Sequence, residues 1–190
     1  MKHLAKVAAL ALVAATSAAA AAPSNLKTAV FAGGCFWTME HDMTPIPGVV
    51  DVVSGYDGGT RPNPTYPDHE GYLESVRVTY DPAKISYAAL TARYLRLTDP
   101  TDGGGAFCDR GPSYRPAIFV SNAPEKAAAQ AAIAQAQPHV KGRIATQIIS
   151  GGRFYLAEAY HQDYARKHPV QYSAYRLGCG KDAAIRKIWR

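Results

Sequence analysis

Along residues 28–120 the hydrophobic pattern changes period in a set succession, and that succession leaves few folds open. Thr28-Ala29-Val30-Phe31-Ala32 is a short apolar run closed by Gly33, as a buried strand would be. A helix is predicted to start just after Gly34 and to end before Pro45. Val49 to Val53 forms the next apolar run, ended by Gly55. Val76, Val78 and Tyr80 then alternate with Arg77 and Thr79, which predicts a half-exposed strand. Leu90, Tyr94 and Leu97 recur at helical spacing behind Ser86, a residue suited to cap a helix. Ala117 to Val120 is a further strand. The order is β-α-β-β-α-β, a split βαβ pattern.

This order predicts an α+β fold, a ferredoxin-like two-layer α/β sandwich with long ordered loops. The loops are Asp57 to Gly71 and Asp99 to Pro116, where glycine and proline crowd and Gly103-Gly104-Gly105 lies. Beyond Val120, a helix is expected over Ala123 to Ala136 with Pro124 in its first turn. A strand at Ala145 to Ile149, a helix from Ala157 to Lys167 stopped before Pro169, and a short amphipathic helix from Asp182 to Trp189 complete the chain. No internal repeat or linker divides residues 22–190, which read as a single domain.

The first 21 residues read differently. Lys2, His3 and Lys6 precede an apolar run from Val7 to Ala15, and small residues follow to Ala22. A basic start, a short apolar stretch and an A-x-A exit describe a secretory signal peptide cleaved after Ala20 or Ala21. The run is too short to span a membrane comfortably. The expected mature protein has no membrane span and is periplasmic or secreted, in an oxidising compartment.

Composition removes several function classes. Lys plus Arg number 21 against 15 Asp plus Glu, and the surplus of +6 is spread without a basic block, so nucleic acid is not an expected partner. Three cysteines exclude a disulfide-rich miniprotein and a four-cysteine zinc site. His69-Glu70-Gly71-Tyr72-Leu73 lacks the second histidine of a zincin helix, and Glu158-Ala159-Tyr160-His161 occurs once where a di-iron bundle needs two copies. No metal is expected.

The chemistry concentrates elsewhere. Gly33-Gly34-Cys35-Phe36-Trp37 places a cysteine at a strand-to-helix junction, where the N–H groups and dipole of a helix favour a thiolate. Phe36 and Trp37 are placed to wall a small apolar pocket beside it; the plainer alternative is a structural cysteine among aromatic core residues. Arg61-Pro62-Asn63-Pro64-Thr65-Tyr66 is a rigid loop ending in a tyrosine. Glu74 opens the strand after that loop; near an apolar pocket its carboxyl would serve as an acid, and in the open it would be a solvated edge charge. Cys108-Asp109-Arg110-Gly111-Pro112-Ser113-Tyr114-Arg115 packs ionisable groups into a glycine-rich loop. Cys179 stands between Gly178 and Gly180, where the backbone can move, as a resolving cysteine requires. It could equally be half of a static disulfide to Cys35 or Cys108.

Together these residues resemble the A-type peptide-methionine sulfoxide reductases, which act on the S epimer. The likeness runs from Lys27 to Gly180. It covers Gly33 to Trp37 with Glu40, then Gly55-Tyr56-Asp57-Gly58-Gly59 and Pro62-Asn63-Pro64-Thr65-Tyr66. Glu74 aligns with the family's acid, and Asp109 and Tyr114, followed by Arg115-Pro116-Ala117-Ile118-Phe119, match its sulfoxide-binding loop. The resemblance implies catalytic roles for Cys35, Glu74 and Cys179, and substrate binding by Phe36, Trp37, Tyr66, Asp109 and Tyr114. Cys35 would attack the sulfoxide sulfur and become a sulfenic acid, and Cys179 would condense with it to a Cys35–Cys179 disulfide. The substrates would be methionine sulfoxide and oxidised proteins, the reductant a thioredoxin-like dithiol, and no cofactor would be needed. Cys108 is expected to be a small buried side chain supporting its loop, the alternative being a third redox thiol. The chain departs from the pattern at Thr38, at Tyr72 where a histidine is common, and in a shortened stretch over 66–71. Two other readings remain: a cysteine hydrolase or acyltransferase using Cys35 with His69 or His161, and a non-catalytic secreted binding module.

Overall fold

The computed structural model describes residues 25–189. The segment read as a signal peptide lies outside them. Among the described residues no helix is long and apolar enough to cross a membrane.

The elements are β1 (Lys27–Ala32), α1 (Phe36–Met43), β2 (Val49–Asp57), β3 (Leu73–Tyr80), α2 (Tyr87–Arg96), β4 (Gly105–Ala106), β5 (Asp109–Arg110), β6 (Ala117–Val120), α3 (Ala123–Ala136), β7 (Gln147–Ser150), β8 (Tyr155–Leu156), α4 (Tyr164–Lys167), α5 (Pro169–Cys179) and α6 (Lys181–Ile188). One six-stranded sheet runs β7-β6-β1-β3-β2-β8, and β4 pairs with β5 in a separate hairpin. β1 lies antiparallel between β3 and β6, β2 runs antiparallel to β3, and among the described residues only the β6–β7 pair is parallel. The fold is α+β on a mixed sheet, with the expected β-α-β-β-α-β order in its centre.

Alternation along β1 sends Ala29 and Phe31 to one face and Val30 and Ala32 to the other. The first face carries the main core, where Phe31, Met39, Met43, Val76, Val78, Leu90 and Tyr94 are fully buried under the helices. A smaller cluster of Ala32, Leu73, Ala117 and Phe119 occupies the opposite face. Ser86 accepts the N–H of Ala89 at 3.1 Å and Asn122 that of Glu125 at 2.8 Å, so both helices begin where their caps place them.

Three expectations change. The strand read over Val76 to Tyr80 keeps its expected alternation, with Arg77 and Thr79 half-buried, but it reaches back to Leu73, and Leu73–Val76 is buried on both faces because β3 sits between β1 and β2 at the middle of the sheet. β2 continues through Gly55 to Asp57; a Cβ at Gly55 would lie 2.3 Å from the Tyr155 carbonyl oxygen, so glycine here admits β8 instead of ending the strand. The helix expected over Ala157 to Lys167 shrinks to α4, and an unforeseen helix, α5, starts at Pro169. Proline stops a helix from within but is well suited to its first position, where no N–H is needed.

Candidate active site

Cys35 occupies the cap position of α1, directly after β1, and is 8% exposed. Its carbonyl accepts the N–H groups of Thr38 and Met39 and the Thr38 hydroxyl at 2.8 Å. The departure at Thr38 therefore tightens the turn that carries the nucleophile. Gly34 before it has φ +94°, and a Cβ there would meet that of Ala106 at 2.7 Å. Glycine thus lets the β4–β5 hairpin close onto Cys35.

Glu74 reaches Cys35 from the neighbouring strand. It is fully buried opposite Tyr56 in the β2–β3 ladder, and its Oε2 accepts the Phe36 N–H at 3.1 Å. Burial pushes its carboxyl up to about 8, and Asp109 adds to that; the Phe36 N–H and the Tyr114 hydroxyl oppose it. Glu74 is consequently a neutral acid at pH 7, held against the residue that follows the nucleophile.

The thiolate expected from the helix terminus is not the resting form. Burial first and the Glu74 charge second push the Cys35 thiol up to about 12, against the Tyr175 hydroxyl and the Trp37 N–H, which favour the thiolate. The first N–H of the helix is taken by Glu74, and desolvation outweighs what remains of the terminus.

Asp109 lies on β5 and accepts the Tyr175 hydroxyl at 2.5 Å and the Cys35 N–H. It therefore ties the hairpin loop to both the nucleophile and α5. Tyr66 and Tyr114 are held protonated by burial and by the surrounding Glu74, Asp109 and Cys35, so both remain donors. Phe36 and Trp37 form an aromatic wall with His161: ring centroids lie 4.8 Å from Phe36 to His161, 4.6 Å from Tyr66 to His161 and 3.6 Å from Trp37 to a stacked Tyr164. Every residue expected to bind substrate thus lies around Cys35 and Glu74.

Neither histidine bonds Cys35. His161 accepts the Trp37 indole N–H at 3.0 Å through Nδ1, and burial holds its pKa down, so it is neutral. His69 Nδ1 meets the Tyr66 carbonyl at 2.7 Å. The groups around the Cys35 sulfur are an acid and a tyrosine, which does not favour a Cys–His hydrolase.

The cysteine pairing is not the Cys35–Cys179 bond that the resemblance implies but the other partner considered for Cys179. Cys179 is bonded to Cys108, with Cα atoms 5.0 Å apart, and Cys35 is free. Cys108, expected to be buried, is exposed. It sits in the two-residue turn of the β4–β5 hairpin, and that turn meets the C-terminal end of α5.

Several residues that hold the site together were not read in that role from the sequence. Glu158 accepts the Tyr66 N–H at 2.8 Å and the Tyr56 hydroxyl at 2.9 Å, so it holds the tyrosine loop in place. Tyr72 fills the space under that loop: its hydroxyl donates to the Arg61 carbonyl, and its ring packs on Gly59. Tyr175, Arg176 and Cys179 fall at helical spacing after Pro169, a signal visible once proline is read as a helix start. Arg176 reaches Asp42 of α1 at 2.8 Å, and the buried Lys181 ammonium lies 2.9 Å from the same carboxylate.

The model of the family described as "Peptide methionine sulfoxide reductase" matches residues 27–190. The chain is 55% identical over 186 residues to "Peptide methionine sulfoxide reductase MsrA 2" of Caulobacter vibrioides, covering 96% of this chain and 94% of that one. Its fold is similar to that of Mxr1 from Saccharomyces cerevisiae in reduced form, with a TM-score of 0.70 and 29% identity over 78% of this chain and 89% of that one. It is also similar to Mxr1 in complex with Trx2, with a TM-score of 0.55 and 26% identity over 78% of this chain and 91% of that one.

Proposed function

The chain belongs to the peptide methionine sulfoxide reductase family, and from that premise we propose how its residues divide the reaction. It is a peptide-methionine (S)-S-oxide reductase, acting on methionine sulfoxide free or in proteins. The observation that carries the division of roles is the Phe36 N–H to Glu74 bond, which holds a neutral acid beside the nucleophile. The Cys35 sulfur attacks the sulfoxide sulfur while Glu74 gives its proton to the oxygen and recovers one from the thiol. The bond formed between the two sulfurs then breaks as the hydroxyl passes from the methionine sulfur to Cys35, so methionine leaves reduced and Cys35 is left as a sulfenic acid. The Tyr66 and Tyr114 hydroxyls donate to the oxygen as charge develops on it. Asp109 positions the loop, and the Phe36–Trp37 wall takes the methyl group. The four strands β6-β1-β3-β2 support a ferredoxin-like frame for this site.

Cys179 resolves the sulfenic acid, and a thioredoxin-like dithiol restores the enzyme, as the complex formed by the yeast relative suggests. Reduction of methionine sulfoxide resolved by epimer, with dithiothreitol, tests the assignment. The S epimer should disappear alone, and Cys35→Ser should abolish the reaction; turnover by that variant would remove Cys35 as nucleophile.

Residues 1–21 act as an export signal, which places the mature domain, 22–190, in the periplasm or outside the cell. Mass spectrometry of the exported protein should find its N-terminus between Ala21 and Pro23, and a retained Met1 would overturn this.

A further inference from the structure

We propose that Cys108 is a third redox residue, and that oxidation passes outward from the buried Cys35 through Cys179 to an exposed Cys108–Cys179 disulfide that the protein reductant opens. The inference rests on the reductase reading above. Its starting point is the arrangement of the three sulfurs. Cys35 is 8% exposed, Cys179 is partly exposed, and Cys108 is exposed. Cys35, Cys179, Phe107 and Asp109 line one cleft, and Cys179 is bonded to Cys108 at its rim. Cys179 is thus the common neighbour of the other two.

The surrounding structure holds this order. Cys108 occupies a turn whose preceding residue, Phe107, has φ +55°. Strand pairing at Ala106–Asp109 and the Tyr175–Asp109 bond pin the turn on both sides. Cys179 ends α5, and Gly180, with φ +63°, starts a new direction into α6. Arg176 before it and Lys181 after it both reach Asp42 on α1, the helix that Cys35 caps. The resolving cysteine therefore lies between nucleophile and hairpin, with a glycine in the left-handed region, where the chain turns, on one side.

The steps balance without an outside oxidant. The Cys179 thiol attacks the Cys35 sulfenic acid, forming a Cys35–Cys179 bond and releasing water. The Cys108 thiolate then attacks the Cys179 sulfur, forming the Cys108–Cys179 bond and releasing Cys35 as a thiolate that takes up a proton. Finally the reductant's dithiol opens the Cys108–Cys179 bond, becoming a disulfide itself. A folded protein cannot reach a sulfur enclosed as Cys35 is, whereas Cys108 lies in the open. Cys35 is freed before the reductant arrives, so a second sulfoxide can enter.

This makes the stoichiometry diagnostic. Fully reduced protein given excess sulfoxide and no reductant should release about two methionines per enzyme, and Cys108→Ser about one. After a single equivalent of sulfoxide, thiol alkylation and peptide mapping of the unaltered protein should find Cys35 free and Cys108 bonded to Cys179. This second measurement needs no variant. One methionine per wild-type enzyme, with Cys35–Cys179 as the final bond and Cys108 recovered as a free thiol, would overturn the proposal while leaving the reductase intact. Release of no methionine would overturn both.

Discussion

The two walls of the Cys35 cleft are built on opposite principles. The wall made by β1, β3 and the first turn of α1 keeps charge out: Glu74 is buried, neutral at pH 7 and held by a backbone N–H. The wall made by α5 and α6 is tied by charge to the last turn of α1, since Asp42 there takes both Arg176 and Lys181 and Arg176 also takes Asp182 at 2.6 Å. A proton donor for a sulfoxide must stay protonated, and an ammonium or guanidinium beside Glu74 would drag its pKa down. The wall that carries Cys179 donates no proton to substrate. In the relay proposed above, it holds a short helix against α1 while the residue at its end exchanges partners, and ion pairs serve that task. The difference teaches that acid catalysis and disulfide transfer make conflicting electrostatic demands, met here on separate elements.

Glu74→Gln strikes the uncharged wall and should have the largest effect. A general acid contributes about 10²–10⁴-fold, and single-turnover reduction should fall by that much. In the wild type the rate should decline as pH rises through about 8, where Glu74 loses its proton, and the variant should lack that decline. The same shift carries a stability consequence. Because the folded pKa is raised above the ordinary carboxylate value, the neutral group's contribution is complete below that value and is lost as pH climbs through about 8. Thermal unfolding at pH 5 and pH 9 should therefore show a smaller alkaline loss in Glu74→Gln. Near wild-type single-turnover rates in this variant would break the contrast between the walls.

Asp42→Asn strikes the charged wall. Removing one partner of a buried pair costs about 3–5 kcal/mol, because it leaves the Lys181 ammonium unpaired. Denaturant unfolding should register a loss near the lower figure, since Arg176 keeps Asp182. Adding Lys181→Met should recover most of it. An unchanged unfolding midpoint in Asp42→Asn would show that charge does not anchor this wall.

Tyr66→Phe tests the rim between the walls and should have the smallest effect. One neutral hydroxyl contributes about 0.5–1.5 kcal/mol, so the single-turnover rate should fall by about tenfold at most. The fold should be unchanged, because Glu158 holds Tyr66 by its backbone N–H.

Much of the catalytic wall was legible in the chain. The Gly-Gly-Cys-Phe-Trp junction, Glu74 at a strand start and the Asp109–Tyr114 loop all announce themselves by residue type and local spacing, and the structure gathers them round one cleft. The other wall was not. Pro169 read as a stop, which hid α5 and with it Tyr175 and Arg176. Glu158 read as half of a metal motif, and its actual work on Tyr66 spans 92 residues. Cys108 read as a quiet loop residue because nothing near it in sequence reveals its partner.

What the sequence determined by itself was local: where helices are capped, where strands alternate, and which residues have the chemistry to attack sulfur or deliver a proton. The tertiary structure alone decided how those residues are ionised and paired. The Cys35 thiol stands near 12 instead of below its ordinary value because burial and Glu74 act on it through the fold. Cys179 bonds Cys108 across a separation of 71 residues because a hairpin turn delivers one sulfur to the end of the helix carrying the other. Ionisation and disulfide choice depend on desolvation and on distances between chain-remote atoms, and neither exists until the sheet and its helices have packed.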